Sequence, residues 1–150
     1  MSSSTPPRLI VVLGSGPGIG VHVAAHFVAR SFTRVALISR NADRLKSDAE
    51  AVRKLAANDV DVRTYVADMA VTVQVEAALN RIVQELGKPE VVLFNAAHLT
   101  KSALWEYKEE DMERDFKVCS PFSFCLSVFL SLFFLSSEVR CSVRYLNTPK

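Results

Sequence analysis

The sequence predicts an α/β domain of three layers, a parallel sheet with helices on both faces. Three observations carry that expectation. Apolar runs alternate with helical patterns in the order βαβαβαβ, the connections between them are short, and a glycine-rich turn joins the first run to the first helix. Strands that alternate with helices through short links pair in parallel, and their crossover helices must cover both faces of the sheet.

Taken in order, the first strand is Leu9–Leu13, a continuous apolar run of the kind that suits a strand buried on both faces. After the glycines, Ile19–Arg30 reads as a helix. The second strand is Val35–Ile38, and Asn41–Ala57 then places Leu45, Ala49, Val52 and Ala56 on one helical stripe. Val60–Val66 is the third strand. Val75, Leu79, Ile82 and Leu86 form the stripe of the next helix, and Val91–Phe94 is the fourth strand. Asn41 and Thr72 fit the N-cap position, where a short polar side chain accepts a backbone N–H, and Gly87 with Pro89 fits a helix stop.

The chemistry starts at Gly14-Ser15-Gly16-Pro17-Gly18-Ile19-Gly20. The spacing is G-x-x-x-G-x-G through Gly14, Gly18 and Gly20; a G-x-G-x-x-G reading fails because position 19 is isoleucine. A strand, a glycine turn and a helix make an anion cradle: N–H groups at the helix start point outward, and the helix dipole favours negative charge. Glycine lets a diphosphate approach the backbone where a Cβ would obstruct it. About twenty residues on, a dinucleotide site that prefers NAD carries an acid for the ribose. Here the positions are Ser39 and Arg40. The Arg40 fork suits a 2′-phosphate, so NADP(H) is expected over NAD(H); the alternative is a solvated arginine at a helix start.

With these residues the chain resembles the short-chain dehydrogenase/reductase family, from about Arg8 to Val118. Asp68-Met69 follows the third strand, where the family places an aspartate beside the adenine. Asn95-Ala96-Ala97 follows the fourth, where the family has an Asn-Ala-Gly turn under the nicotinamide half. Asp115–Val118 is similar to the family's long fourth helix. The resemblance implies a Rossmann-like three-layer parallel sheet and hydride transfer between NADP(H) and a carbonyl or alcohol. The cofactor-binding set it implies is Gly14, Ser15, Gly18, Ile19, Gly20, Ser39, Arg40, Asn41, Asp68, Met69, Asn95, Ala96 and Ala97.

The departures concern catalysis. Leu13 stands for a threonine, Ala97 for a glycine, and Cys119 for the family's asparagine. The family also needs a tyrosine with a lysine four residues on, the lysine lowering the tyrosine pKa by its charge. Four residues beyond Tyr65, Tyr107 and Tyr145 stand Met69, Asp111 and Pro149. No catalytic residue is therefore assigned. The expectation is a fold truncated after about four strands that binds a nucleotide and does not turn over. The alternative is a non-enzymatic or membrane-anchored binding protein.

Composition sets the remaining bounds. The 150 residues suit one domain, and a net charge of +2 with no long basic run argues against nucleic acid. Cys119, Cys125 and Cys141 lack C-x-x-C spacing and read as reduced thiols of a cytoplasmic protein. Residues 1–7 are a short polar tail expected to be disordered, and 8–118 the nucleotide-binding domain. Residues 119–150 are an atypical apolar segment ending in a basic stub. Val118–Ser137 is a run of 20 uncharged residues rich in Phe, Ser and Leu. It reads in three ways: the aberrant end of a shortened family member, as an unspliced intron or shifted frame would give; a membrane anchor, being long enough to span; or an apolar helix over an open sheet edge. The histidine pair His22 and His26, one helical turn apart, lacks a third ligand for a metal. His98 reads as a loop residue, Trp105 and Tyr107 as packing residues, and Lys108–Arg114 as a solvated helix start.

Overall fold

The computed structural model describes residues 7–56, 59–97, 106 and 108–119. Eight elements follow in order: β1 (Leu9–Leu13), α1 (Ile19–Val28), β2 (Arg34–Ser39), α2 (Ala42–Ala56), β3 (Asp61–Val66), α3 (Thr72–Leu86), β4 (Val91–Phe94) and α4 (Glu109–Cys119). The four strands form one parallel sheet in the order β3-β2-β1-β4. Leu9 pairs with Arg34, Ile10 with Val91, and Arg34 with Asp61.

Alternation along the strands divides the core in two. Leu9, Val11, Leu13, Ala36 and Ile38 face α3 through Val75, Leu79, Ile82 and Leu86, and Val118 of α4 joins that layer. Ile10, Val12, Val35 and Leu37 face α1 and α2 through Val21, Ala24, Val28, Leu45, Ala49 and Val52. Every residue of β1 is buried. Each such aliphatic side chain contributes about 1.5–3 kcal/mol relative to exposure, which is why the central strand tolerates no polar residue. The three-layer Rossmann-like architecture expected from the sequence is the one observed.

The ends differ in instructive ways. α1 stops at Val28 rather than Arg30, because Ser31 adopts φ +69° and turns the chain so that Phe32 enters the core. Thr72 is the first helical residue of α3 and not its cap; Val71 holds the cap position without a side-chain bond. The preceding turn is tied by Asp68 instead, whose Oδ1 accepts the Ala70 N–H at 2.9 Å while Gln74 Oε1 accepts the Asp68 N–H at 2.9 Å. Asn41 does cap α2, accepting the Arg44 N–H at 2.9 Å. Gly87, at φ +91°, ends α3. β2 extends to Arg34, which pairs with Leu9 and Asp61, and to Ser39, which pairs with Val66 of β3. Ala57, the end expected for α2, lies outside the described residues, as do His98, Trp105, Tyr107, residues 1–6 and everything beyond Cys119. The three readings of the apolar segment therefore concern residues that are not described, apart from Val118 and Cys119. Among the described residues no helix is long and apolar enough to cross a membrane.

At the N-terminal end of the sheet, Arg8 grips Glu90 through two bonds of 2.7 and 2.6 Å, donates to the Arg30 carbonyl and lies over the Phe32 ring. The hydrogen bonds from Arg8 hold the Glu90 carboxyl below the usual carboxylate range. A depressed folded pKa gives stability that is present above the ordinary range and lost as pH falls through the folded value. Both side chains are more than one-third exposed, so screening keeps the effect small. Arg8→Met is expected to lower the unfolding midpoint by about 2–4 °C at neutral pH and by less at pH 3. Equal shifts at both pH values, read by circular dichroism, would contradict the pairing.

Candidate nucleotide-binding site

Because all four strands are parallel, the loops that follow them gather at one edge of the sheet. These are Gly14–Gly18 after β1, Ser39–Asn41 after β2, Ala67–Ala70 after β3 and Asn95–Ala97 after β4. From β1 the chain moves out to β2 and β3, then crosses back to place β4 on the other side. Such a reversal opens a crevice at the carboxyl ends of the strands, here at the glycine loop.

The loop is held from three sides. The N–H groups of Gly14 and Ser15 both donate to the Ile38 carbonyl at the end of β2, at 2.9 and 2.8 Å. The Asn95 amide donates to the Gly14 carbonyl at 3.1 Å, and its backbone N–H to Leu13 at 2.8 Å. The Ser15 hydroxyl donates to Asp48 Oδ2 of α2 at 2.7 Å, and both residues are buried. The fold itself requires glycine at Gly14: its φ is +87°, and a Cβ would lie 2.4 Å from the Ala96 backbone. Gly20 lets α1 close on the loop, since a Cβ would meet Ser15 and Val12 at 3.4 Å.

Gly16 and Gly18 are different. A Cβ at either would meet no atom within 4 Å, and neither has a positive φ. No packing inside the chain excludes a side chain there. Among the described residues, the N–H groups of Gly18, Ile19 and Gly20 have no acceptor, and those of Val21 and His22 make long bonds of 3.3 and 3.4 Å to Gly16 and Gly18. An open backbone surface with unpaired donors at a helix start fits an anionic group such as a diphosphate. His22 Nδ1 lies 2.9 Å from the Gly18 carbonyl, which requires the proton on Nδ1 and ties the ring to the loop.

The other expected residues divide by side-chain direction. Arg40 and Asn41 are exposed and Ser39 is half-buried beside the loop; Arg40 has no partner among the described residues. Asn41 Oδ1 serves the helix cap. Asp68 is half-buried at the rim with Oδ1 committed to the Ala70 turn. The Met69 side chain is buried in the α3 layer, which leaves its backbone for any contact with a ligand. Ser15 likewise has spent its hydroxyl proton on Asp48. Ile19 lies exposed at the mouth, Ala96 is half-buried against Gly14, and Ala97 is exposed.

Sequence reasoning missed Asp48. The signal was present, because a charged residue three positions after Leu45 lies on the apolar stripe of α2. Tyr65 offers no chemistry here. It is buried on β3 with its hydroxyl donated to Glu85 at 2.9 Å, and burial, reinforced by that bond, pushes its pKa up to about 12.

Comparison with known proteins agrees with the fold. The family profile described as short chain dehydrogenase matches residues 8–132. Mouse 17-beta-hydroxysteroid dehydrogenase 13 is 26% identical over 115 residues, covering 77% of this chain and 36% of that protein. Rat estradiol 17-beta-dehydrogenase 11 is 24% identical over 115 residues, covering 77% and 37%. Among solved structures, L-sorbose reductase from Gluconobacter frateurii, complexed with NADPH and L-sorbose, superposes with a TM-score of 0.68 at 22% identity, covering 81% of this chain and 45% of that one. NAD+-bound xylitol dehydrogenase gives 0.72 at 23% identity, covering 86% and 48%. At these identities the two structures establish the fold. The chain spans little more than a third of those curated relatives and about half of the solved structures.

Proposed function

The chain belongs to the short chain dehydrogenase family, and from that premise we propose that it binds NADP(H) in preference to NAD(H) at the glycine loop. The observation that carries the reading is the open backbone at Gly18, with unpaired N–H groups at the start of α1. Gly18, Ile19 and Gly20 would hold the diphosphate, Ser39–Asn41 the adenosine ribose with Arg40 on its 2′-phosphate, Asp68 the adenine side, and Asn95–Ala97 the nicotinamide half. Ser15 and Met69 would contribute through their backbone. When bound, the cofactor supplies or accepts a hydride. The residues of this chain orient it and neutralise its charge.

Turnover needs a proton donor beside the nicotinamide, and no tyrosine in the sequence has a lysine four residues on. Tyr65 is ruled out by its burial and its bond to Glu85. These 150 residues are therefore proposed to bind cofactor without reducing a carbonyl by themselves. The names of the relatives cover steroids, a sugar and a polyol. The substrate class proposed for any longer form stays at a carbonyl or alcohol.

Arg40 gives the test. Replacing a guanidinium that faces a phosphate by a carboxylate removes a charge-assisted pair and adds repulsion. Arg40→Asp is expected to lower the NADPH-to-NADH affinity ratio by about a hundredfold, read by fluorescence titration of each nucleotide. A ratio unchanged within about threefold assigns Arg40 to solvent.

A further inference from the structure

Asp48 is buried on the inner face of α2, and the hydroxyl of Ser15 reaches it from the glycine loop. Stability alone gives no reason for an acid at this position. The neighbours on its stripe are Leu45, Ala49 and Val52, and an aliphatic residue would avoid the cost of desolvating a carboxylate. Its bond to Ser15, at 2.7 Å, is of the charge-assisted kind, and Oδ1 has no partner among the described residues.

Among the described residues it is the one side-chain hydrogen bond between the glycine loop and α2. The loop is already tied to β2 through Ile38 and to β4 through Asn95. Asp48 adds α2, the helix that starts directly after Arg40 and Asn41. Two anchors then set the distance between the open backbone at Gly18 and the exposed fork of Arg40: the Ile38 carbonyl beside Ser39, and the Asp48 carboxylate within α2. We propose that Asp48 is a positioning residue for nucleotide binding, holding the glycine loop through the Ser15 hydroxyl at the spacing that one dinucleotide must bridge. The inference rests on the nucleotide reading above. It assigns to a buried acid a role in affinity that it exerts without touching the ligand.

NADPH is titrated into the parent chain, Ser15→Ala, Asp48→Ala, Asp48→Asn and the double variant Ser15→Ala/Asp48→Ala. Each titration is run at a temperature where thermal unfolding shows that variant folded. Ser15→Ala and Asp48→Ala are each expected to weaken NADPH by about tenfold, the loss of one charge-assisted bond. The double variant should bind no more weakly than the weaker single, because both act through one bond. Asp48→Asn keeps an acceptor oxygen and should stay within about threefold of the parent. Ser15→Ala removes a single oxygen, so the comparison survives even if Asp48→Ala fails to fold. Parent-like affinity in Ser15→Ala with only a lowered unfolding midpoint would reduce the bond to a structural contact and overturn the proposal, as would additive losses in the double variant. A parent chain that binds neither NADPH nor NADH would overturn the nucleotide reading itself, and this proposal with it.

Discussion

Gly18→Ala is expected to weaken NADPH by about a hundredfold while lowering stability by no more than about 1 kcal/mol, the usual range for losing a favourable N-cap residue. The separation of the two effects follows from where the new methyl would go. At Gly18 it projects into space with no protein atom within 4 Å, so the fold has little to oppose it. A diphosphate seated on the N–H groups of Gly18, Ile19 and Gly20 would meet that methyl directly. Displacing the anion from one or two charged hydrogen bonds, each about 1.5–3 kcal/mol, accounts for the expected factor. Isothermal calorimetry on the folded variant measures it. Unchanged affinity would mean that the open backbone is not where the nucleotide lies.

Gly14→Ala should do the reverse and strike the fold first. A φ of +87° costs an alanine about 1–2 kcal/mol, and the Cβ would overlap the Ala96 backbone at 2.4 Å. The Asn95–Ala96 turn would have to move away from the loop, breaking the bond from the Asn95 amide to the Gly14 carbonyl. Together these amount to about 3–5 kcal/mol, a large share of a domain's stability, and should lower the urea midpoint accordingly. A midpoint within experimental scatter of the parent would show that the positive φ and the close approach are not features of the folded loop.

This contrast between two glycines of one motif shows what the sequence carried and what it withheld. The succession of strands and the helix stripes were legible because burial on both faces leaves a continuous apolar run in β1 and amphipathic helices carry a 3.6-residue stripe in α2 and α3. The gathering of the candidate loops follows from the same facts, since parallel strands must deliver their following loops to one edge. Helix ends were less legible. Whether α1 stops at Val28 or Arg30 depends on the burial of Phe32 beyond the turn, a tertiary effect that no capping residue announces.

Within the candidate site, the sequence places residues on loops but does not give their side-chain directions. Met69 follows β3 where a cofactor contact was expected, yet a turn residue can face either the crevice or the core, and here the α3 layer takes it. Ser15 belongs to the expected cofactor-binding set, and the sequence gives no direction for its hydroxyl, which faces Asp48. Asp48 does not stand out among the charges of α2; its place on the stripe with Leu45 and Val52 is the signal that it is buried.

The central claim is that the backbone at the start of α1 receives the diphosphate of NADP(H), and a titration of the uniformly 15N-labelled chain with NADPH reads those amides directly. Saturable shifts concentrated at Gly18, Ile19 and Gly20, with a second group at Ser39–Asn41, are the expected result. Shifts absent from the glycine loop at saturating NADPH, or scattered over the sheet without saturation, would contradict it.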